Sequence, residues 1–453
     1  MVTKVIVLAA GKGTRMKSAK PKVLHHLAGK SMLAHVLDGV GILNPETTVV
    51  VIGHGSEMVQ QEIDHNVAWA MQSAQLGTGH AVQQALSHID DGDKVVIAYG
   101  DVPLTRESTF ESLHALCDDK TVGLLSVILD DPTGYGRIVR DANNRVTGIV
   151  EQKDASPEQL AIQESNSGML SITGALLKNF LGRIDNNNAQ EEYYLTDIFE
   201  LAVADGLTIE TVHPQDVWEV FGVNSRVQLA ELERIHQINC ATELMDNGVT
   251  LRDPSRIDVR GPLQTGTDTE MDVNIVFEGT NSIGNGVRIG ANCVIIDSVV
   301  GDNTHILPNT VLEGVTVAEN CTIGPFARLR PGTQLANNAK IGNFVEVKQA
   351  TIGDGSKVNH LSYVGDAQVG TNVNVGAGTI TCNYDGANKH KTVLEDDVFI
   401  GSNSALVAPV TIGSGSTVGA GSTISKDVTS DTLAVTRAKQ AQINGWERPK
   451  KKR

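Results

Sequence analysis

Residues 283–295 read IGNGVRIGANCVI, and aliphatic side chains return in this stretch at every sixth position, Ile283, Ile289 and Ile295. The same step recurs further along the chain at Val317, Ile323, Leu329, Val369, Val375, Ile400, Leu406, Ile412, Val418 and Ile424. A helix requires an apolar period near 3.6 residues and an exposed strand a period of 2, so neither element explains a step of six. Short strands joined by tight turns do explain it, because each strand then turns one aliphatic side chain inward.

Glycine follows many of these aliphatic residues, as at Gly284, Gly342 and Gly413. Because glycine accepts a positive φ at low cost, we expect these glycines at the turns between the strands. Three strand-and-turn units would form one coil of a prism, and stacked coils would bury a continuous ladder of aliphatic side chains. The pattern therefore favours a β-solenoid from about residue 253 onward over another kind of glycine-rich β domain.

The N-terminal half alternates strands and helices instead. Apolar, β-branched runs at residues 3–9, 47–52 and 93–98 predict buried strands, and helical patterns fall at residues 31–43 and 77–89. This alternation predicts a Rossmann-like α/β domain with a doubly wound, mostly parallel sheet. Such sheets bind ligands beyond the carboxyl ends of their strands.

One long helix is predicted over residues 225–248, and at ~1.5 Å per residue it would extend on the order of 35 Å. Its apolar residues lie along roughly one face: Val227, Leu229, Leu232, Ile235, Ile238 and Leu244. We expect the domain boundary at this helix, which gives a first domain over 1–226, a linker helix over 227–247 and a second domain over 248–453.

The composition is acidic, with 37 Lys and Arg against 53 Asp and Glu and a net charge of −16. This balance disfavours nucleic acid and anionic membrane surfaces as partners, and we interpret the one basic cluster, residues 450–453, as a solvated tail. No run of 18 apolar residues occurs and the N-terminal apolar run is too short for a signal peptide, so neither a membrane span nor a leader is expected. The 5 cysteines lack CxxC spacing, which indicates neither zinc nor disulfides and favours the reducing cytoplasm.

The loop after the first strand, residues 8–16, reads LAAGKGTRM. It matches neither GxGxxG nor the P-loop, yet its glycines let backbone N–H groups approach a polyphosphate, and Arg15 and Lys22 add positive charge. Asp101 follows a buried strand at the edge where a ligand is expected. One carboxylate together with phosphate oxygens is a common way for a protein to hold Mg²⁺.

Together these residues resemble the sugar-1-phosphate nucleotidyltransferases, whose pattern LxxGxGTRM…PK occurs here at residues 8–16 and 21–22. Four further motifs strengthen the match: QSAQLGTGH at 72–80, GYGR at 134–137, EQK at 151–153 and GVN at 222–224. With the six-residue repeat behind them, the chain resembles, essentially end to end, the bacterial bifunctional N-acetylglucosamine-1-phosphate uridyltransferase/glucosamine-1-phosphate acetyltransferase family. The resemblance implies a left-handed parallel β-helix of hexapeptide repeats and the synthesis of UDP-N-acetylglucosamine, a precursor of peptidoglycan and lipopolysaccharide.

The resemblance also implies a first site for UTP and N-acetylglucosamine-1-phosphate. Its nucleotide and phosphate contacts would be Leu8, Ala9, Ala10, Gly11, Arg15 and Lys22, with Gln72, Gly77 and Thr78 at uracil. Its sugar contacts would be Tyr99, Gly100, Gly136, Glu151 and Asn166. Asp101 and Asn224 would bind Mg²⁺.

A second site is indicated where the six-residue register fails, at about residues 379–392, because a polar insert in a solenoid is expected to project as a functional loop. His360 lies shortly before it, close to Lys357, Asn359 and Tyr363. Acyl transfer to a sugar amine requires a base that works near neutrality, and imidazole is suited to that role. A cysteine acyl-enzyme through Cys382 is the alternative, which the absence of an activating base at close spacing disfavours.

By resemblance, His360 would deprotonate the ammonium group of glucosamine-1-phosphate, and the acetyl group would come from acetyl-CoA. The implied sugar-phosphate contacts are Arg330 and Lys348, with Tyr363, Asn374 and Asn383 orienting the sugar and the acetyl group. The implied acetyl-CoA contacts are Ala377, Asn383, Tyr384, Ser402, Ala420 and Arg437. A homotrimer is also implied, since related solenoids bind acetyl-CoA between subunits. Two other readings stay open: a nucleotidyltransferase of single activity with a regulatory solenoid, and a solenoid that serves only as an assembly scaffold.

Overall fold

The computed structural model describes residues 1–449 and 451, and the chain divides into two compact units, Met1–His236 and Gln237–Arg453. Of the predicted basic tail, Lys450, Lys452 and Arg453 lie outside the described residues. Within the described part of the chain, no helix has the length and apolar character needed to cross a membrane.

The first unit contains the strands β1 Thr3–Leu8, β2 His26–Leu27, β3 Lys30–Ser31, β4 Thr47–Ile52, β5 Ala68–Met71, β6 Lys94–Tyr99, β7 Thr121–Ile128, β8 Arg137–Arg140, β9 Val146–Val150, β10 Glu164–Thr173 and β11 Thr208–Val212. Its helices are α1 Met32–Gly41, α2 Ser56–Glu62, α3 Thr78–Gln83, α4 Glu107–Ala115, α5 Pro157–Leu160, α6 Gly174–Leu181 and α7 Asp197–Ala204, and α8 Arg226–Asp246 follows. Single 3₁₀ turns occur at Thr14–Met16, Lys22–Leu24, Leu86–His88 and Val217–Val220, and at Pro254–Arg256 in the second unit.

The main sheet has the strand order β11-β7-β10-β6-β1-β4-β5, and β8 and β9 form a hairpin beside β10. Strand β10 is antiparallel to both β6 and β7, whereas β1, β4, β5 and β6 pair in parallel. Leu8 is in register with both Val51 and Tyr99, so the carboxyl ends of β1, β4 and β6 lie side by side. The mostly parallel α/β sheet predicted from the sequence is confirmed, and the glycine loop and Asp101 leave it at one edge.

The predicted helix at 77–89 is shorter than expected. Helix α3 ends at Gln83, and a separate 3₁₀ turn follows at Leu86–His88. The backbone tightens there because the Gln84 N–H bonds to Ala81 O, while the Gln84 side chain donates to His80 O at 3.0 Å. A side chain thus replaces the backbone donor that would have continued the helix.

Helix α8 does not present the single apolar face that was predicted. Leu232 and Leu244 are buried, but Val227 and Ile238 are exposed. At about 100° per residue Val227 lies about 140° around the helix from Leu232, so the two cannot share one buried stripe. The division between the two compact units falls within this helix, after His236.

The second unit is a prism of three parallel sheets that belong to a left-handed parallel β-helix. Its first face is 11-stranded: Thr250–Leu251, Glu270–Met271, Arg288–Ile289, His305–Ile306, Thr322–Ile323, Lys340–Asn343, Lys357–His360, Asn374–Val375, Phe399–Ile400, Thr417–Val418 and Leu433–Ala434. Its second face is 10-stranded: Ile257–Arg260, Ile275–Glu278, Val294–Ile296, Val311–Glu313, Arg328–Leu329, Glu346–Lys348, Tyr363–Gly365, Ile380–Cys382, Ala405–Val407 and Thr423–Ile424. Its third face is 9-stranded: Leu263–Thr265, Asn281–Ile283, Val299–Val300, Thr316–Val317, Gln334–Leu335, Thr351–Ile352, Ala367–Val369, Thr392–Leu394 and Val410–Ile412.

Successive coils stack with a step of 17 or 18 residues, as in the pairs His305–Thr322 and Val276–Val294. The aliphatic residues of the six-residue repeat are buried in one continuous core, as predicted. The step lengthens to 25 residues between Val369 and Leu394, where residues 383–391 form the inserted loop. The interruption of the repeat is shorter than the predicted residues 379–392, because Ile380–Cys382 still pairs in register with Ala405–Val407.

Most of the glycines that follow the aliphatic residues have a different role from the predicted one, whereas Gly324 has the predicted positive φ, +99°. A Cβ on Gly342 would lie 2.0 Å from Asn359 O in the next coil, and one on Gly284 would lie 2.3 Å from Asp302. These glycines are therefore required by the close approach of neighbouring coils rather than by the backbone angle. At the turn positions themselves, asparagine often adopts the positive φ, as at Asn309 and Asn403.

Candidate active sites

A cavity of about 320 Å³ opens at the carboxyl ends of β1 and β6. It is lined by Leu8, Ala9, Ala10, Gly11, Lys22, Val23, Gln72, Gln75, Gly77, Thr78, Ala81, Tyr99, Asp101 and Glu192. Most of the residues predicted for the nucleotide are therefore brought together in one place. Arg15 is exposed and is not among the lining residues.

The glycine loop folds over the stem of Lys22. Gly13 has a φ of +59°, and a Cβ there would lie 2.6 Å from the Lys22 Cβ. The ammonium group of Lys22 forms an ion pair with Asp101 and donates to Asn224 Oδ1 at 3.0 Å. Asn224 reaches this position because the Val223 N–H donates to Asp101 O at 2.9 Å. The two predicted metal ligands, distant in sequence, thus face one cation.

Gln72, predicted to contact uracil, is buried at one end of the cavity. Its amide nitrogen donates to Gly77 O at 3.1 Å, and this acceptor fixes the direction of the amide. Gly77 has a φ of +111°, and a Cβ there would lie 2.5 Å from Tyr193 O. The side-chain nitrogen of Gln75 donates to Ala10 O at 2.5 Å and ties this segment to the glycine loop.

The predicted sugar contacts gather around Tyr99. Burial raises the pKa of the Tyr99 hydroxyl, and the charges of Glu151 and Asp101 raise it further. Burial also raises the pKa of Glu151, whose Oε1 accepts from Thr196 Oγ1 at 3.2 Å.

Backbone hydrogen bonds hold the other predicted sugar contacts in position. The Asn166 N–H donates to Gly136 O at 2.9 Å, and the Gly100 N–H donates to Leu8 O at 2.9 Å. A Cβ on Gly168 would lie 2.6 Å from the Tyr99 ring. The phenol is therefore packed directly against strand β10.

Motif analysis did not predict several residues of this site, among them Gln75, Glu192, Tyr193 and Thr196. Gln75 lies inside the quoted motif at 72–80, so its position was a usable signal. Glu192, Tyr193 and Thr196 belong to a segment that carries no pattern of its own, and only the fold brings it to the cavity.

In the second unit, His360 ends a strand of the first face and is exposed. Its Nδ1 lies 2.7 Å from Asn343 Oδ1, and the two residues are register partners on adjacent coils. Because an amide oxygen only accepts, this contact places the proton on Nδ1 and leaves the Nε2 lone pair free. Sequence analysis did not single out Asn343.

Three of the predicted acetyl-CoA contacts, Ala377, Ser402 and Ala420, form a line with His360 along the corner between the first and second faces. His360, Ala377, Ser402 and Ala420 occupy the same corner position in successive coils. The hydrogen bonds Gly378 N–H to His360 O, Asn403 N–H to Ala377 O and Gly421 N–H to Ser402 O join these coils. At ~4.8 Å per coil the line is about 14 Å long. Arg437 extends it, since its Cδ lies 3.7 Å from the position of a Cβ on Gly421.

A cationic cluster lies on the second face. Arg330 pairs with Glu346 at 2.8 Å, and this hydrogen bond raises the pKa of Arg330. Lys348 lies close enough to Lys389 to lower the pKa of Lys389 through a hydrogen bond and charge repulsion. Two facing ammonium groups favour an anion between them. Lys389 comes from the insert and was not predicted.

The inserted loop is internally braced. Asp385 accepts from the backbone of Asn388 at 2.7 Å and pairs with His390 at 2.6 Å, and these contacts lower the pKa of Asp385. The exposed Tyr384 donates to Gly386 O at 2.6 Å. These contacts within the loop stabilise its conformation.

Neighbouring predicted residues lie below this loop. Asn383 is buried, and its amide nitrogen contacts Asp366 and, at 3.5 Å, Tyr363 Oη. Asn374 lies on the first face, in the coil after that of His360. The sulfur of Cys382 has one hydrogen-bond contact within the described residues, Ile380 O at 4.0 Å, which offers no base for a cysteine mechanism.

Comparisons with known proteins agree with both halves of this arrangement. The MobA-like NTP transferase domain profile matches residues 5–138, and the bacterial transferase hexapeptide profile matches residues 314–349 and 391–426. Bifunctional protein GlmU of Marinobacter nauticus is 56% identical over 99% of this chain and 99% of its own length. Bifunctional protein GlmU of an Azoarcus species is 56% identical over 99% of this chain and 100% of its own length.

A solved UDP-glucose pyrophosphorylase complexed with UDP-glucose covers 52% of this chain and 98% of its own at 16% identity and a TM-score of 0.44, which is too distant to support an argument. The family is shown instead by the full-length matches and the two domain profiles. This chain belongs to the GlmU family of bifunctional enzymes, which combine nucleotidyl transfer and acetyl transfer in one polypeptide.

Proposed function

We propose that the chain makes UDP-N-acetylglucosamine in two steps, with the acetyl step in residues 248–453 and the uridylyl step in residues 1–226. The observation that carries this proposal over a single-activity nucleotidyltransferase is the His360–Asn343 contact at 2.7 Å. This contact leaves Nε2 of His360 able to accept a proton, at the end of the line of predicted acetyl-CoA contacts. A solenoid that served only regulation or assembly would have no use for such a base.

In the acetyl step, Nε2 of His360 takes a proton from the ammonium group of glucosamine-1-phosphate. The neutral amine attacks the thioester carbonyl of acetyl-CoA, the C–S bond breaks, and coenzyme A leaves as the thiol after protonation. Arg330, Lys348 and Lys389 bind the sugar phosphate, because the cation pair on the second face favours an anion. Ala377, Ser402, Ala420 and Arg437 contact acetyl-CoA along the corner.

In the uridylyl step, a phosphate oxygen of N-acetylglucosamine-1-phosphate attacks the α-phosphorus of UTP. The bond to the β-phosphate breaks and pyrophosphate leaves. The backbone N–H groups of Ala10 and Gly11 and the Lys22 ammonium would neutralise the phosphates, since these residues line the cavity. The Gln72 amide oxygen, directed away from Gly77 O, accepts from uracil.

Mg²⁺ is the metal we propose for this step, with Asp101 and Asn224 as its protein ligands. The fit rests on one observation: a carboxylate and an amide oxygen already converge on a single cation, the Lys22 ammonium. Hard oxygen donors of this kind suit Mg²⁺, which typically binds one or two carboxylates and substrate phosphates. When bound, the ion supplies charge neutralisation for the triphosphate.

A homotrimer is the assembly we propose. Phe326, Phe344 and Leu361 occupy one corner position in successive coils, and they are 50%, 56% and 64% exposed. All three have a positive φ, which is unfavourable for bulky side chains, and the two phenyl rings stack at 5.2 Å. Burial against another subunit would explain why three exposed apolar residues with a strained backbone lie in a row.

The cytoplasm is the compartment we propose, because UTP and acetyl-CoA are available there. All five cysteines are free thiols, and burial raises the pKa of three of them, Cys117, Cys293 and Cys321, to about 11. Inert thiols of this kind suit a reducing environment. The product would feed the synthesis of peptidoglycan and lipopolysaccharide.

The test is the variant His360→Ala. We expect acetyl transfer, followed by coenzyme A release with a thiol reagent, to fall by roughly 10²–10⁴ while pyrophosphate release by the first site is unchanged. Raising the pH should partly restore the rate, because more of the amine is then neutral. His305→Ala is the matched control, an exposed histidine on the same face. Unchanged acetyl transfer in His360→Ala would favour a regulatory or structural solenoid.

A further inference from the structure

The Lys22 ammonium lies between the two groups proposed to bind the metal. It forms an ion pair with the Asp101 carboxylate and donates to Asn224 Oδ1 at 3.0 Å. The side chains of Lys22 and Asp101 are only 12% and 16% exposed, so the pair is largely shielded from solvent. A shielded ion pair is screened far less than a surface pair and is correspondingly harder to displace.

Local structure holds the lysine in this position. Its Cβ lies against Gly13, where any side chain would clash, and its backbone opens the 3₁₀ turn Lys22–Leu24. On the other side, Asp101 is tied by its backbone to Val223. The ammonium group is therefore directed at these two oxygens by both of its flanking segments.

A divalent cation has little else to bind here. Within the described residues, no group of three or more His, Cys, Asp or Glu side chains could hold a metal ion. The one proposed carboxylate is already neutralised by Lys22. A divalent cation and an ammonium group cannot share these two oxygens, because they repel one another at contact distance.

We propose that Lys22 is a built-in occupant of the metal position, which excludes divalent cations until UTP supplies phosphate oxygens for both the metal and the lysine. This inference rests on the proposed roles of Asp101 and Asn224. It adds an order of events: the metal enters with the nucleotide and not before it. It also requires positive coupling, so UTP and the metal each tighten the binding of the other.

The test measures Mn²⁺ binding to the nucleotide-free full-length protein by electron paramagnetic resonance. We expect weak binding to the natural protein and at least about tenfold tighter binding to Lys22→Met, within the 5–150-fold range usual for coupled sites. Lys22→Gln is a second variant that also keeps the stem against Gly13 while removing the charge. Lys20→Met is the control, since Lys20 also pairs with a carboxylate, Glu62, at 3.0 Å.

Three outcomes decide the matter. Unchanged or weaker Mn²⁺ binding in both Lys22 variants overturns the proposal, even if Asp101→Asn still abolishes the metal-dependent step. Tighter binding that is lost again in Lys22→Met combined with Asp101→Asn supports it. If Mn²⁺ still binds more tightly in this double variant, the metal binds elsewhere. Both the proposal and the assignment of Asp101 as a metal ligand are then wrong.

Discussion

Asn343 should determine how well His360 acts as a base, although it touches neither substrate in the proposed mechanism. Its amide oxygen lies 2.7 Å from His360 Nδ1 and fixes the tautomer that leaves Nε2 free. A neutral hydrogen bond contributes about 0.5–1.5 kcal/mol, which corresponds to a factor of roughly 2–12 in rate. We therefore expect Asn343→Ala to lower kcat for acetyl transfer by that factor, with KM for both substrates nearly unchanged.

Asn343→Asp separates a positioning role from a structural one. The carboxylate keeps the acceptor oxygen but stabilises the imidazolium form, which cannot act as a base. The acidic limb of the pH profile for acetyl transfer should therefore move to higher pH, by roughly 0.5–1 unit for an exposed pair of charges.

The assay is coenzyme A release between pH 5.5 and pH 9, with pyrophosphate release as the internal measure of folding. Asn309→Asp is the matched control, because it adds the same charge two coils earlier along the same corner, about 10 Å away. A pH profile for Asn343→Asp that coincides with that of the control would refute the positioning role. So would a KM increase in Asn343→Ala that accounts for the whole loss.

Three further outcomes are expected. Asp101→Asn should reduce uridylyl transfer at least about a hundredfold and leave acetyl transfer intact, since it removes the one carboxylate proposed for Mg²⁺; a normal rate at limiting Mg²⁺ would move the metal site. Phe326→Asn combined with Phe344→Asn should produce a folded monomer in light scattering, because Asn309 and Asn403 already adopt this backbone at the same corner; a persistent trimer with full acetyl transfer would contradict the interface. Asp197→Asn should raise Tm at pH 8 but not at pH 4, because burial raises the pKa of Asp197 to about 6. The free energy by which the protonated Asp197 favours folding is complete below about pH 4 and is lost as the pH rises through 6. An equal Tm shift at both pH values would therefore show that the buried carboxylate charge is not the cause.

The solenoid could be predicted because its six-residue repeat is a local feature of the sequence. Each strand contributes one inward aliphatic residue, and the six-residue step can be read without knowing which strands pair. The role of the glycines could not be predicted in this way, because it depends on contacts between coils. Gly342 is required by Asn359 in the next coil, and that contact exists only once the coils are stacked.

Asn343 marks the limit of motif analysis in the second site. His360 was found from its chemistry and its neighbours in sequence, whereas its partner lies one coil earlier. A coil step of 17 residues points from His360 to Asn343, so the repeat itself carried the information. For Glu192 at the first site no such rule exists, because an irregular segment delivers it to the cavity.

The corner that carries His360 changes character at that residue. In the coil of His360 and the two coils before it, the turn position holds Leu361, Phe344 and Phe326, and in the three coils after it the same position holds Gly378, Asn403 and Gly421. Bulky apolar residues suit contact with a second subunit, whereas small residues leave room along the line of predicted acetyl-CoA contacts. His360 thus lies at the junction of the two, where a base belonging to one subunit would meet a ligand enclosed by its neighbour. A monomer would keep the base and its Asn343 partner, but it would lose the enclosure, which is why loss of assembly should abolish acetyl transfer without disturbing the His360–Asn343 contact.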